Sequence, residues 1–199
     1  MIDFFINNEK IDVQLESEKT IGDVLTSFEQ TCEENKAAVI GIFVNGRQIT
    51  SETFDEESEK SLDQVKRFDF SIITKDAIAN SFVELASLFN ELSLKMQEIP
   101  LELQKGNNKE ASASIKKLAD SVDQFCHIAA LASLFPETFT PEKLGNLNIK
   151  DFLEDFSPIL KDFEEALKNN DTVMVGDLSE YEICPRLQTI SKALLSINK

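Results

Sequence analysis

The single histidine of the chain, His127, stands directly beside Cys126. A thiol in contact with an imidazole makes a nucleophilic dyad, and with more thiols the same groups bind zinc. Neighbouring residues on a helix point in different directions, so His127 and Cys126 do not form a pair. Cys32 and Cys184 lie far along the chain and supply no zinc spacing. Folding would have to bring one of them to His127. His127 is therefore expected as a half-buried helical residue. Carboxylates are plentiful, but acid/base chemistry needs two of them in contrasting surroundings within a cleft, and no pair stands out. The acidic run Glu52–Glu59 lacks the D-x-D-x-D-G pattern of a calcium loop. Neither a nucleophile motif nor a phosphate loop is present, and no cofactor or metal is implied.

The most distinctive polar stretch is Asp177–Leu187, DLSEYEICPRL. Glu182 and Arg186 are spaced i,i+4 and so share a helical face. Pro185 has no N–H to give, which leaves the carbonyl of Tyr181 in need of another donor. A kink edged by Tyr181, Glu182 and Arg186 is a candidate recognition point. The alternative is a surface helix carrying an ordinary ion pair.

Positioning these residues requires helices. Lys109–Phe135 carries Ile115, Leu118, Val122 and Phe125 on one face, then turns apolar all round through Ile128, Ala129, Ala130, Leu131 and Leu134. That change predicts the buried central rod of a bundle. Before it, Asp76 is expected to cap a helix with Ile78, Phe82, Leu85, Phe89, Leu92, Met96 and Ile99 at intervals of three and four, kinked or restarted at Pro100 and stopped at Gly106. A further segment keeps Ile149, Phe152, Phe156, Leu160, Phe163 and Leu167 in helical phase, with Pro158 inside it or Ser157 capping a second piece. Asp171 or Thr172 caps the last helix. Short connectors favour antiparallel neighbours, so residues 76–199 read as an antiparallel four-helix bundle.

Residues 1–75 read differently. Ile2–Ile6 and Ile11–Leu15 are strand-like runs around an asparagine-rich turn. A helix follows Thr20, with Asp23 favouring its N-terminus. Ala38–Val44 is a strand, Asn45-Gly46 a hairpin turn, Arg47–Ile49 a short return, SETFDEESEK an acidic loop, and Phe68, Phe70 and Ile72 alternate on a final strand. This order, with Ile42-Phe43 ahead of Gly46-Arg47-Gln48, resembles the β-grasp fold of ubiquitin-like and sulfur-carrier proteins. The conjugating members end in an exposed Gly-Gly tail. Here Ile73-Thr74-Lys75 runs into a helix, which excludes tail chemistry. What the resemblance implies instead is a sheet face for partners, with Ile42 and outward residues of the last strand such as Phe70 on it, unless that face packs on the helical half.

The net charge is −16, and it divides evenly: 8 basic and 16 acidic side chains in residues 1–75, 12 and 20 in residues 76–199. Neither part is a basic module, so nucleic acid is not a partner. The N-terminus is not a signal peptide, no run is long enough to span a membrane, and three scattered cysteines suit a reducing cytoplasm.

These readings predict an α+β chain: a ubiquitin-like β-grasp domain over 1–75, joined without a linker, and hence in fixed orientation, to a helical bundle over 76–199. The helical part resembles uncharacterised bacterial helical proteins, some associated with motility or secretion systems. The function expected is a non-enzymatic cytoplasmic adaptor or chaperone for a protein partner that is basic or offers an amphipathic helix. A different class would be a small-ligand binder or enzyme with its site in the crevice between the two parts, and a third is self-association.

Overall fold

Asn7 and Asn8 both adopt the left-handed backbone, φ 49° and 71°. That is what the tightest hairpin turn requires, and it joins β1 (Asp3–Ile6) to β2 (Glu9–Ile11). The computed structural model describes residues 2–140 and 147–198, and its chain forms two compact units, Met1–Lys75 and Asp76–Lys199. β2 is shorter than the strand expected over Ile11–Leu15. Ile11 pairs with Phe4 and β1 begins at Asp3, so the residues after Ile11 run out of partner.

Thr20 caps α1 (Ile21–Glu34) through a reciprocal box. Its Oγ accepts from the Asp23 N–H at 3.1 Å, and the Asp23 carboxylate accepts from the Thr20 N–H at 3.0 Å. β3 (Ala37–Val44) turns at Asn45-Gly46, φ 51° and 78°, into β4 (Arg47–Gln48). The acidic run expected as a loop contains a short helix, α2 (Phe54–Ser58), with Asp55, Glu56 and Glu57 in its first turn, where acidic side chains favour the N-terminus. A 3-10 turn over Leu62–Gln64 leads to β5 (Arg67–Thr74). The sheet order is β2-β1-β5-β3-β4, with β1 parallel to β5 and the other pairs antiparallel.

Two asparagine side chains dock on β5 from opposite ends. Asn7 pairs with both backbone groups of Ile72 (3.2 and 3.0 Å), and Asn45 accepts from the N–H groups of Lys66 and Arg67 (2.8 and 3.1 Å). α1 presses Ile21, Val24 and Leu25 onto Phe4, Phe68 and Phe70, and the Phe28 ring stacks on Phe70. Burying each of these large side chains contributes about 1.5–3 kcal/mol.

In the second unit, α3 (Lys75–Gln104) follows β5 with no intervening residue. Asp76 therefore lies in its first turn and is not a cap. Pro100 does not start a separate helix; α3 runs through it. Gly106, at φ 78°, turns the chain into α4 (Asn108–Ala132). α5 (Ile149–Lys168) is capped by Asn148 and is unbroken at Pro158, so Ser157 caps nothing. Asp171 caps α6 (Thr172–Asp177), accepting from the Met174 N–H at 3.0 Å. A π-helical segment, Leu178–Ile183, then leads into α7 (Cys184–Leu194) and a closing 3-10 turn.

Contact order fixes the pairwise directions. Phe89 meets Phe125 edge-on at 5.9 Å, while Glu91, further along α3, holds Lys117 at 3.1 Å, so α3 and α4 are antiparallel. The Ser191 hydroxyl donates to the Ala86 carbonyl at 2.7 Å, and Gly176 abuts Pro100, so α6–α7 also runs against α3. The central rod is α3, not α4 as the apolar pattern predicted. Ile78, Phe82, Leu85, Ala86, Phe89, Leu92, Ser93, Met96 and Ile99 are each at most 1% exposed. α4 buries a narrow seam, Ala111, Leu118, Phe125 and Ala132, one residue in seven, with Ser121 beside it. Among the described residues no helix is long and apolar enough to cross a membrane.

Candidate functional site

The sheet does not offer Ile42 and Phe70 to a partner. Phe70 is 2% exposed beneath Phe28, and Ile42 is half-buried against the same core. Strand alternation turns both inward, because Phe68, Phe70 and Ile72 are the core face of β5. The opposite face carries Phe5, Phe43 and Asp69 as cross-strand neighbours. Arg67 lies over the Phe5 ring, 3.7 Å from its centroid, and is held there by Asp69.

The Tyr181, Glu182 and Arg186 group divides in two. Tyr181 projects from the π-helical segment, 65% exposed. Arg186 is a tie between helices. Its Nε and Nη2 reach the Asp155 carboxylate on α5 (2.7 and 3.3 Å), and its Nη1 reaches both the carboxylate and the backbone carbonyl of Glu182 (2.7 and 3.0 Å). The fork is satisfied on both sides, so Arg186 has little left for a partner. The guanidinium holds the Asp155 carboxyl below its usual range, and Asp155 in turn raises Arg186. The π turn explains how Pro185 is tolerated. The Cys184 N–H donates to the Ser179 carbonyl five residues back, and the widened turn takes in a proline that has no N–H to give.

His127 is exposed rather than half-buried, and among the described residues no group of three or more His, Cys, Asp or Glu could hold a metal. Cys126 is exposed, while Cys32 and Cys184 are buried. Partial burial, and then Asp123, push the Cys126 thiol up. It thus lacks the lowered pKa of an activated nucleophile.

The feature that sequence reading missed is a groove of about 1110 Å³ between the C-terminal half of α4 and the first half of α5. Cys126, Ala129, Ala130 and Ser133 line the α4 side, and Leu153 and Leu160 line the α5 side. Phe139 and Phe156 also line it, and Phe156 belongs to a chain of rings in which Phe152 leans on it at 5.4 Å and meets Phe125 edge-on at 6.1 Å. Lys150 and Glu154 at its margin face each other at 3.7 Å. The signal was the all-round apolar stretch of α4. It marks a wall left open, because α4 gives α3 only its one-in-seven seam.

The profile of a family described as TP0873 N-terminal domain matches residues 2–74. That of a family described as Domain of unknown function (DUF8042) matches residues 80–193, more than half of the chain. The chain belongs to the DUF8042 family. Both the groove and the Arg186–Asp155 tie lie inside the DUF8042 region, and the two matched stretches flank the boundary between the units. The whole chain is similar to an uncharacterized protein of Treponema pallidum (strain Nichols), 26% identical over 197 residues that cover 99% of this chain and 98% of that one. No solved structure matches.

Proposed function

We propose that the chain is a non-enzymatic protein-interaction module, an adaptor or chaperone acting in the cytoplasm, whose partner docks in the α4–α5 groove. The observation that carries this reading is the groove itself: solvent-open, walled by apolar and small side chains, and without paired catalytic groups among its described lining residues. Its two charged residues, Lys150 and Glu154, are spent on one another. Clients of a motility or secretion system are the partner class we favour, in keeping with the resemblance of the helical part. The N-terminal unit is proposed as a ubiquitin-like scaffold without tail chemistry; the parallel pairing of β1 with β5 and the helix laid across the sheet support that kinship.

The test compares affinity capture by the wild-type chain and by Ala130→Tyr, which fills the groove from an exposed position. A stoichiometric protein retained by the first and lost by the second supports the reading. Identical capture by both, or none by either, overturns it.

A further inference from the structure

The composition of the groove's two walls narrows what can occupy it. On the α4 side every lining residue but Val122 is small (Cys126, Ala129, Ala130, Ala132 and Ser133), so beyond Val122 an incoming helix, about 10–12 Å across with its side chains, can approach the backbone closely. At about 1110 Å³ the groove exceeds the range of about 300–1,000 Å³ usual for small-molecule pockets. Exposure of Cys126, Ala130, Ser133 and Pro158 leaves it open to solvent.

Charge then decides between occupants. From Leu118 to Thr140 the α4 side carries Asp120, Asp123 and Glu137 and no lysine or arginine. On α5, Lys150 is matched by Glu154, Asp155 is matched by Arg186, Asp151 adds a further negative charge to the first turn, and the charges of Lys161 and Asp162, next after the lining Leu160, cancel. A second copy of a chain with net charge −16 would bring like charge against this acidic rim, as would an anionic lipid surface. A helix with an apolar face flanked by lysine and arginine brings the opposite charge.

We infer that the α4–α5 groove is a docking site for a cationic amphipathic helix of a partner protein, an assignment that rests on the interaction reading above and gives its partner a chemistry. The apolar face of the helix lies on Ala129, Ala130, Leu153 and Leu160, and a basic flank faces Asp123. The acidic rim speeds encounter, and the apolar floor holds the complex.

The experiment uses the full chain and a synthetic helix of about 18 residues, five turns, built from leucine and lysine in helical period with one tryptophan. The chain has no tryptophan, so the fluorescence of the probe is its own. Two controls accompany it, a leucine–glutamate version and a scramble of identical composition. Alkylation of Cys126 reports the location, with buried Cys32 and Cys184 as internal references. The expected result is saturable binding of the leucine–lysine helix that slows Cys126 alkylation at least about tenfold. Asp123→Asn weakens it about three- to tenfold, as does raised salt. Ala130→Tyr, or Ser133→Tyr should the first variant fold poorly, abolishes the protection without adding charge.

Equal binding of the scramble or of the leucine–glutamate helix overturns the assignment. So does a bound probe that leaves Cys126 reactive, or sedimentation showing a dimer in which Cys126 is already protected. The two readings fail separately. If the probe does not bind but capture of a partner still depends on Ala130, the interaction reading stands and the cationic-helix assignment falls. If the probe protects Cys126 but no partner depends on Ala130, the groove accepts a cationic helix, but the interaction reading falls and the partner assignment that rests on it falls with it.

Discussion

α3 and α4 are neighbours of similar length and opposite character. α3 buries a seam at intervals of three and four from Ile78 to Ile99, touched by α4 on one side and by α6–α7 on another. α4 has the more apolar C-terminal half, yet its buried apolar residues number only one in seven, and Ala130 is exposed, as are Ser133 and Leu134 just past its end. Periodicity tracks burial more faithfully than apolar content does. A strict stripe is answered by a neighbour, whereas an apolar surplus off the stripe is surface waiting for something else.

Four substitutions sharpen or break that contrast. The largest effect is expected at the seam. Phe125→Ala removes a ring that meets Phe82, Phe89 and Phe152, and should cost about 3–5 kcal/mol in urea unfolding at an unchanged m-value. Gly176→Val comes next. A Cβ at Gly176 would already stand 3.3 Å from the Pro100 ring, so the branched side chain should destabilise by about 1–3 kcal/mol, read from the shift in thermal midpoint.

Arg186→Ala is smaller and depends on pH. Arg186 depresses the folded-state pKa of Asp155, so the tie contributes fully at neutral pH and is lost as pH falls through that depressed value. The Tm gap between variant and wild type should be widest near pH 7 and close in acid; a gap independent of pH would mean that Arg186 acts by packing alone. The smallest effect belongs to the open wall. Ala130→Leu should change stability by less than about 0.5 kcal/mol. A cost near that of Phe125→Ala would place Ala130 in a covered core and remove the contrast between the two helices.

Much of the first unit was legible because its determinants are local. The Thr20–Asp23 box and the Asn45-Gly46 turn each act within a few residues of chain. The shortened β2 was not legible, since its end is set by where β1 begins. Nor was α2, hidden in an acidic run that polarity alone marks as a loop. In the helical unit the periods of α3 and α5 were readable, and the cap of α6 was narrowed to Asp171 or Thr172, of which the structure uses Asp171. Pairings between distant residues were not. Nothing near Arg186 points to Asp155, 31 positions away, so the i,i+4 partner Glu182 looked like the whole story. The groove was half visible, as the unusual stretch of α4, and was assigned the wrong use.

The Asn45-Gly46 turn has a bearing on chemical ageing. An asparagine followed by glycine deamidates when the glycine nitrogen reaches the side-chain amide carbon, a step that requires the side chain to swing free. Here the Asn45 amide is engaged at both ends, donating to the Gln64 carbonyl at 3.1 Å and accepting from the Lys66 and Arg67 N–H groups. The lifetime of this bond in stored protein is therefore set by how often the turn opens. Once the amide has become a carboxylate, its hold on the Gln64 carbonyl is gone and the 3-10 turn over Leu62–Gln64 loses an anchor, while the side-chain oxygen can still accept from the Lys66 and Arg67 N–H groups.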